Sequence, residues 1–150
     1  MAKPVKTLLM DAFETALNTL KPATVSMVKR GQDIPIDEET AVYPWVCFFD
    51  EPEVKKERNR IAMKDFDLVI HAWVKQKKNT TLSDQLDLLD AEIEKLFLIN
   101  AGIGTDTMRI EPVSMEKFYI DDEVRAILQA VYHVTYGHAW KDPYDPAKGS

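Results

Sequence analysis

The sequence has little of what cross-links a chain or carries it across a membrane. Its single cysteine, Cys47, excludes an intramolecular disulfide, and its place in an apolar segment predicts a small buried side chain. The longest apolar runs, such as 45–49, are far too short to span a bilayer. Acidic residues at positions 11 and 14 interrupt the N-terminal apolar segment before a signal sequence is complete. We therefore expect synthesis in the cytoplasm and no membrane partner.

Positive charge is also scarce. Nineteen lysines and arginines stand against 25 acidic residues, which gives a net charge of −6. A dedicated nucleic-acid binder neutralises phosphates with clustered basic side chains, so this balance argues against that class. An acidic surface is compatible with DNA that passes the protein without being gripped.

Catalytic and cofactor motifs are missing from the chain. No G-x-S-x-G nucleophile turn is present. The G-x-G at 102–104 follows a predicted helix, whereas a dinucleotide-binding loop follows a strand. Carboxylates are plentiful, but no spacing singles out a pair for acid–base chemistry. We expect neither an enzyme nor a cofactor.

Two histidines leave one alternative open. His71 and His133 fall on the secondary faces of two predicted strands that share a sheet, so they are expected to approach each other. A metal site needs further ligands, and Asp67 and Glu123 are examples of candidates. Structural histidines are the favoured interpretation, and a small metal-binding or ligand-binding domain is the less favoured one.

The clearest pattern in the chain is an amphipathic helix at 81–99. Thr81 is a suitable N-cap, acidic residues crowd the first turns, and Asn100 and Gly102 supply the stop. Apolar residues recur at helical spacing along one stripe. They are Leu82, Leu86, Leu89, Ile93, Leu96 and Phe97. Such a helix needs a sheet beneath it, because burial of one stripe does not offset the entropy of ordering the backbone.

The remaining elements follow from periodicity and turn residues. Helical spacing predicts a first helix at 4–20, and alternation predicts long strands at 60–75 and 123–136. The shorter predicted segments are a strand at 23–29, a loop at 33–40, a strand at 43–49, a charged loop or hairpin tip at 50–59, a strand at 108–113 broken by a proline, and a loop at 114–122. The fold class is α+β, with an antiparallel or mixed sheet of four to five strands and two helices on one face. Residues 1–140 form a single domain, and 141–150 form a flexible tail.

The chain has more apolar residues than one core needs. Val69, Trp73, Ile127 and Val131 fall on the second faces of the two long strands, where a solvated sheet carries polar groups. Leu88 and Leu98 fall off the main helix stripe. Burial against a like subunit accounts for this surplus. The predicted subunit or partner interface comprises Glu53, Lys55, Lys56, Arg58, Arg60, Trp73 and Val131.

The layout as a whole resembles one protein family. The chain runs from a leading helix to the strand YPWVCFFDEPE, a charged hairpin and the strand FDLVIHAWVK. The helix LSDQLDLLDAEIEKLF, a crossing strand and a last strand ending in YHVTYGHAW follow. In architecture and hydrophobic texture this resembles the tail terminator, or minor tail completion, proteins of long-tailed bacteriophages. The resemblance covers 5–140 and rests on no diagnostic motif.

The resemblance implies a structural virion protein of the tail or neck. Such subunits form a homo-oligomeric ring, expected to be a hexamer, that caps the tail tube. Expected partners are a second copy of the chain, the tail tube protein, the head–tail connector protein, and genomic DNA that passes through the channel without sequence-specific binding. The charged segment 51–60 would be an arm that contacts a neighbouring subunit or the tube. Another neck or head-completion component is the alternative within the same particle.

Overall fold

The fold is an α+β arrangement of one mixed sheet and two helices, as the sequence predicted. The structure, a computed structural model, describes residues 4–21, 23–31, 43–51, 54–58, 61–77, 80–99, 109–120, 124–139 and 142–146. Of these, 54–58, 61–63, 98–99, 138–139 and 142–146 are described by their backbone alone. The elements in chain order are α1 (Val5–Asn18), β1 (Met27–Arg30), β2 (Trp45–Asp50), β3 (Val54–Arg58), β4 (Ile61–Lys75), α2 (Leu82–Ile99), β5 (Arg109–Ile120), β6 (Arg125–Ala139) and β7 (Asp142–Pro146).

The sheet is organised around two long central strands. β4 and β6 pair antiparallel over their full 15 residues. Across the sheet the order is β1-β2-β4-β6-β5, and only β1 and β2 run parallel. β3 pairs with β4 and β7 with β6, so these two strands lengthen the sheet at one end. The two long strands predicted from alternation therefore form the centre of the sheet.

Both helices pack on the same face of the sheet. Leu9, Phe13 and Leu17 of α1 and Leu86 and Ile93 of α2 are fully or almost fully buried in one apolar cluster. The even-numbered residues of β4 and β6 supply the other side of that cluster, from Phe66 to Val74 and from Ala126 to Tyr136. Each valine, leucine, isoleucine or phenylalanine of the cluster contributes roughly 1.5–3 kcal/mol of burial free energy. The predicted apolar stripe of α2 thus packs against the sheet.

Local signals fix the ends of the elements. The Thr81 hydroxyl accepts a hydrogen bond from the Asp84 N–H at 3.1 Å, which confirms the predicted N-cap. Gly31 follows β1 with a φ of 133°, a conformation that glycine adopts without steric cost. Its N–H donates to the Phe48 carbonyl at 2.9 Å, so the turn is tied to β2. The predicted loop 33–40 and the helix stop at Asn100 and Gly102 lie outside the described residues.

One predicted strand break is wrong. Arg109–Ile120 forms a single 12-residue strand, where a short strand and a loop were expected. Proline is tolerated in an edge strand, because the outward side of that strand needs no ladder hydrogen bond. The register shifts between Pro112 and Ser114, which leaves Val113 as an extra residue in the ladder. A proline at an edge therefore bends the strand and does not end it.

The expectation of a loose tail from position 141 is also wrong in part. Asp142–Pro146 forms β7 and pairs with the end of β6. β6 continues to Ala139, whereas β5 pairs with it only as far as Thr135, so β6 has an open edge there. A segment that follows directly in the chain can fill this edge. The charged segment expected as a loop or hairpin tip contains β3, which forms a hairpin with β4.

Candidate assembly surface

The candidate surface is the face of the sheet opposite the two helices. We call it the helix-free face. Residues paired directly across neighbouring strands point to the same side, and the side chains on this face form rows across the sheet. The apolar row is Met27, Trp45, Trp73, Ile127 and Phe118; the polar row is Lys29, Cys47, His71, Gln129 and Glu116. Two further rows are Phe49, Val69, Val131 and Ser114, and then Asp67, His133 and Glu111.

Two tryptophans form the centre of the apolar row. The rings of Trp45 and Trp73 stack with centroids 5.2 Å apart and planes within 6°. Trp45 is only 4% exposed and Trp73 is half-buried. In the described part of the chain, neither buried indole nitrogen has a hydrogen-bond acceptor. Apolar contact and stacking therefore hold this pair in place, and they make the row continuous from β2 to β4.

A cavity opens on the helix-free face. Its volume is about 560 Å³, and the directly paired Val69 and Val131 line it together with Phe49. Polar groups of Asp67 and Gln129 also border it. The cavity therefore has a mixed lining and extends from the polar row to the row that contains Asp67.

The two histidines of this face lie in separate polar contacts. His71 Nε2 is 3.1 Å from Gln129 Oε1, and His133 Nδ1 is 3.0 Å from Asp67 Oδ1. The paired Val69 and Val131 lie between the row of His71 and the row of His133. The predicted approach of the two histidines is therefore wrong, because the register places a full row between them.

The surroundings of His133 are relevant to the alternative that this protein binds a metal ion. His133 Nε2 is also 3.8 Å from Asp65 Oδ1, so this imidazole lies between two carboxylates. Among the residues that the structure describes, no group of three or more histidine, cysteine or acidic side chains is arranged to hold a metal ion. An imidazole in these surroundings can form an ion pair when it is protonated.

Among the described residues, the edge strand β5 carries the largest number of exposed large apolar side chains. Val113 is 58% exposed, Met115 42%, Phe118 44% and Tyr119 47%. β5 is the last strand in the sheet order, and no described strand pairs with its outer edge. A long edge strand with exposed apolar side chains is a template for pairing with another chain. Leu88 of α2 is also exposed, at 58%, as its position off the helix stripe predicted.

The predicted interface residues fall into three groups. Trp73 and Val131 lie on the helix-free face, and both are half-buried. Lys55, Lys56 and Arg58 belong to β3 and pair through their backbone with β4, so this part of the expected arm is a strand of the main sheet. Glu53 and Arg60 lie outside the described residues, as does the side chain of Leu98.

Sequence reasoning missed β5 as a surface element. The apolar triplet at 118–120 was present but was placed in a loop, because Pro112 was expected to end the strand. Alternation on both sides of that proline was the signal that would have found it.

Comparison with known proteins assigns no function to this surface. No protein-family model matches the chain, and no curated protein matches it in sequence. Within the described residues, no helix is both long enough and apolar enough to cross a bilayer.

Proposed function

We propose that this protein is a structural subunit of a bacteriophage tail, a terminator that caps the tail tube as a ring and joins it to the head connector. The observation that carries the proposal is the β5 edge, with four large apolar side chains each more than 40% exposed. Such an edge is unfavourable in a monomer in water, because exposed apolar side chains and an open strand edge both favour association. A subunit that works inside an assembly needs one.

A ring requires two different contact surfaces on each subunit. Head-to-tail contacts join unlike patches and close into a ring when the rotation between copies permits it. The described fold provides candidates on both sides, since β1 and β5 lie at opposite ends of the sheet order. The helix-free face adds an apolar row that runs between these two edges.

The net charge supports the DNA-related part of the proposal. At −6 per subunit, a closed ring accumulates negative charge and repels a phosphate backbone. A channel through which DNA must move benefits from weak contact, since basic side chains along it would bind phosphates. The proposed ring therefore contacts DNA without sequence-specific binding.

The first experiment measures assembly directly. Light scattering and negative-stain microscopy of the purified protein, alone and with tail tubes, should reveal a closed ring in solution or on the tube end. Phe118→Ser should weaken assembly. Leu8→Ser is the matched control, because Leu8 is equally exposed, at 43%, on helix α1, which does not contact β5. A strictly monomeric protein that never associates with tubes would overturn the proposal.

The second experiment concerns the charged segment. Reversing the charge at Lys55, Lys56, Arg58 and Arg60 should impair binding to the tube. The melting temperature of the variant should stay the same as that of the wild type. Assembly that is unchanged in the folded variant would remove this segment from the interface and leave the β5 edge as the contact.

A further inference from the structure

The two outer strands of the sheet run in opposite directions. β1 is parallel to β2, and each later step through β4, β6 and β5 reverses the direction. β1 and β5 are therefore antiparallel to each other. If a second copy is placed beside the first in the same orientation, its β1 lies antiparallel to the β5 of the first copy. Antiparallel pairs have well-aligned backbone hydrogen bonds, so this junction needs no reversal of either subunit.

The ends of the cross-sheet rows match in chemistry. The apolar row begins with Met27 on β1 and ends with Phe118 on β5. The neighbouring polar row begins with Lys29 and ends with Glu116, which carry opposite charges. When Met27 of one copy is placed opposite Phe118 of the next, the antiparallel direction brings Lys29 opposite Glu116. Apolar then meets apolar, and cation meets anion.

On the other side of the same junction, Arg30 and Lys117 become diagonal neighbours, and each is already paired with a carboxylate of its own subunit. On the helix side, Val28 comes opposite Lys117, and Arg30 comes opposite Met115. Both cations already have carboxylate partners within their own subunit, since Arg30 pairs with Asp11 at 2.7 Å and Lys117 with Asp87 at 2.6 Å. Neither needs a new partner across the junction.

Other registers lose this match. A slip of one residue turns the side chains of β1 to the wrong face. A slip of two residues places Met27 opposite Glu116, or else Lys29 opposite Phe118. Only the register that keeps the rows continuous pairs both positions favourably.

We infer that the β1 edge of one copy pairs with the β5 edge of the next, with Met27 against Phe118 and Lys29 against Glu116, so that the sheet continues from subunit to subunit. This inference rests on the proposed function, because it specifies the contact from which the ring is built. The occupant of the β5 edge is a second copy of this chain. The junction is head-to-tail, as a ring requires.

Cysteine cross-linking tests the pairing. Side chains directly opposite each other in an antiparallel pair have Cβ atoms about 4.5–5.5 Å apart, close enough for a disulfide after slight adjustment. Under mild oxidation, the double variant Met27→Cys/Phe118→Cys should give a ladder of disulfide-linked oligomers on a non-reducing gel. Each single variant should remain uncrosslinked. Native Cys47 is buried and is present in every variant as a common background.

A charge exchange gives a second measurement that needs no cysteine. Lys29→Glu and Glu116→Lys should each weaken association by about two- to tenfold, and the double exchange should restore it. Lys95→Glu is the matched control, because it makes the same change on the exposed side of α2.

The outcomes separate the two proposals. A ladder in the double variant together with rescue by the exchange supports the β1–β5 junction. Rings that form without either result overturn the junction and leave the ring itself standing. Cross-linking of Phe118→Cys alone would show a β5–β5 contact and also overturn the junction. A wild-type protein that never associates overturns the ring and the junction together.

Discussion

Lys117 of the edge strand β5 and Asp87 of helix α2 form an ion pair, with Nζ 2.6 Å from Oδ1. The same ammonium donates a hydrogen bond to the Ser83 hydroxyl at 3.1 Å. The contact fastens an otherwise exposed strand to the helix layer, close to the proposed junction. The hydrogen bond to Asp87 raises the pKa of Lys117 above its ordinary value.

We predict that Lys117→Met lowers the melting temperature slightly at neutral pH, because it removes the ion pair and the hydrogen bond to Ser83. A raised lysine pKa contributes stability that is present below the unfolded value of 10.5 and is lost as pH rises through the folded value. The difference from wild type should therefore shrink above that value. Circular-dichroism melts as a function of pH measure it, and Lys117→Arg should retain most of the stability. A difference that persists in strong base would contradict the electrostatic cause.

Asp90 gives a prediction of the opposite sign. Partial burial raises its pKa from 3.8, with further contributions from Glu94 and Asp87. The ionised form is therefore disfavoured in the folded protein, and Asp90→Asn should raise the melting temperature at pH 7. The gain should fade as pH drops through the folded pKa toward 3.8 and below, since wild-type Asp90 is then protonated in both states.

A control for Asp90 lies in the same helix. Asp84 is in the first turn of α2, where a carboxylate interacts favourably with the helix dipole. Asp84→Asn should lower stability, by about 0.3–1 kcal/mol. If both substitutions shift stability in the same direction, the explanation from partial burial at Asp90 fails.

The N-cap of α2 gives the third prediction. Thr81→Ala removes the acceptor for the Asp84 N–H and should cost about 0.5–2 kcal/mol of unfolding free energy. Thr81→Ser keeps the hydroxyl and should be close to wild type. Urea denaturation measures both, and equal losses in the two variants would show that the hydroxyl is not the stabilising group.

Much of the fold was readable from local patterns. Helix 81–99 and its cap at Thr81 follow from spacing within a few turns, and the long strands follow from alternation over many residues. These signals survive because each repeats along the chain, so one exceptional residue does not erase them. The apolar surplus at Trp73 and Val131 was likewise visible, and both residues lie on the helix-free face.

Where the strand prediction failed at Pro112, the deciding fact was the position of its strand in the whole sheet. Pro112 looked like the end of a strand, since a proline in a central strand removes a ladder bond. It lies inside β5 because that strand is at an edge, and only the pairing order of the whole sheet decides which strand is outermost. The segment Asp142–Pro146 differs, because its partner β6 directly precedes it in the chain; it pairs there because β5 pairs with β6 only as far as Thr135.

Local sequence patterns were enough to predict the fold class, the buried face of α2 and the alternation of β4 and β6, because these depend on contacts that repeat every 3.6 or two residues. Tertiary structure alone decided that His71 and His133 lie in different rows, that Trp45 stacks on Trp73, and that Lys29 and Glu116 stand at opposite ends of one row. Strand order and register bring together residues far apart in the chain. Periodicity within one strand carries no information about either.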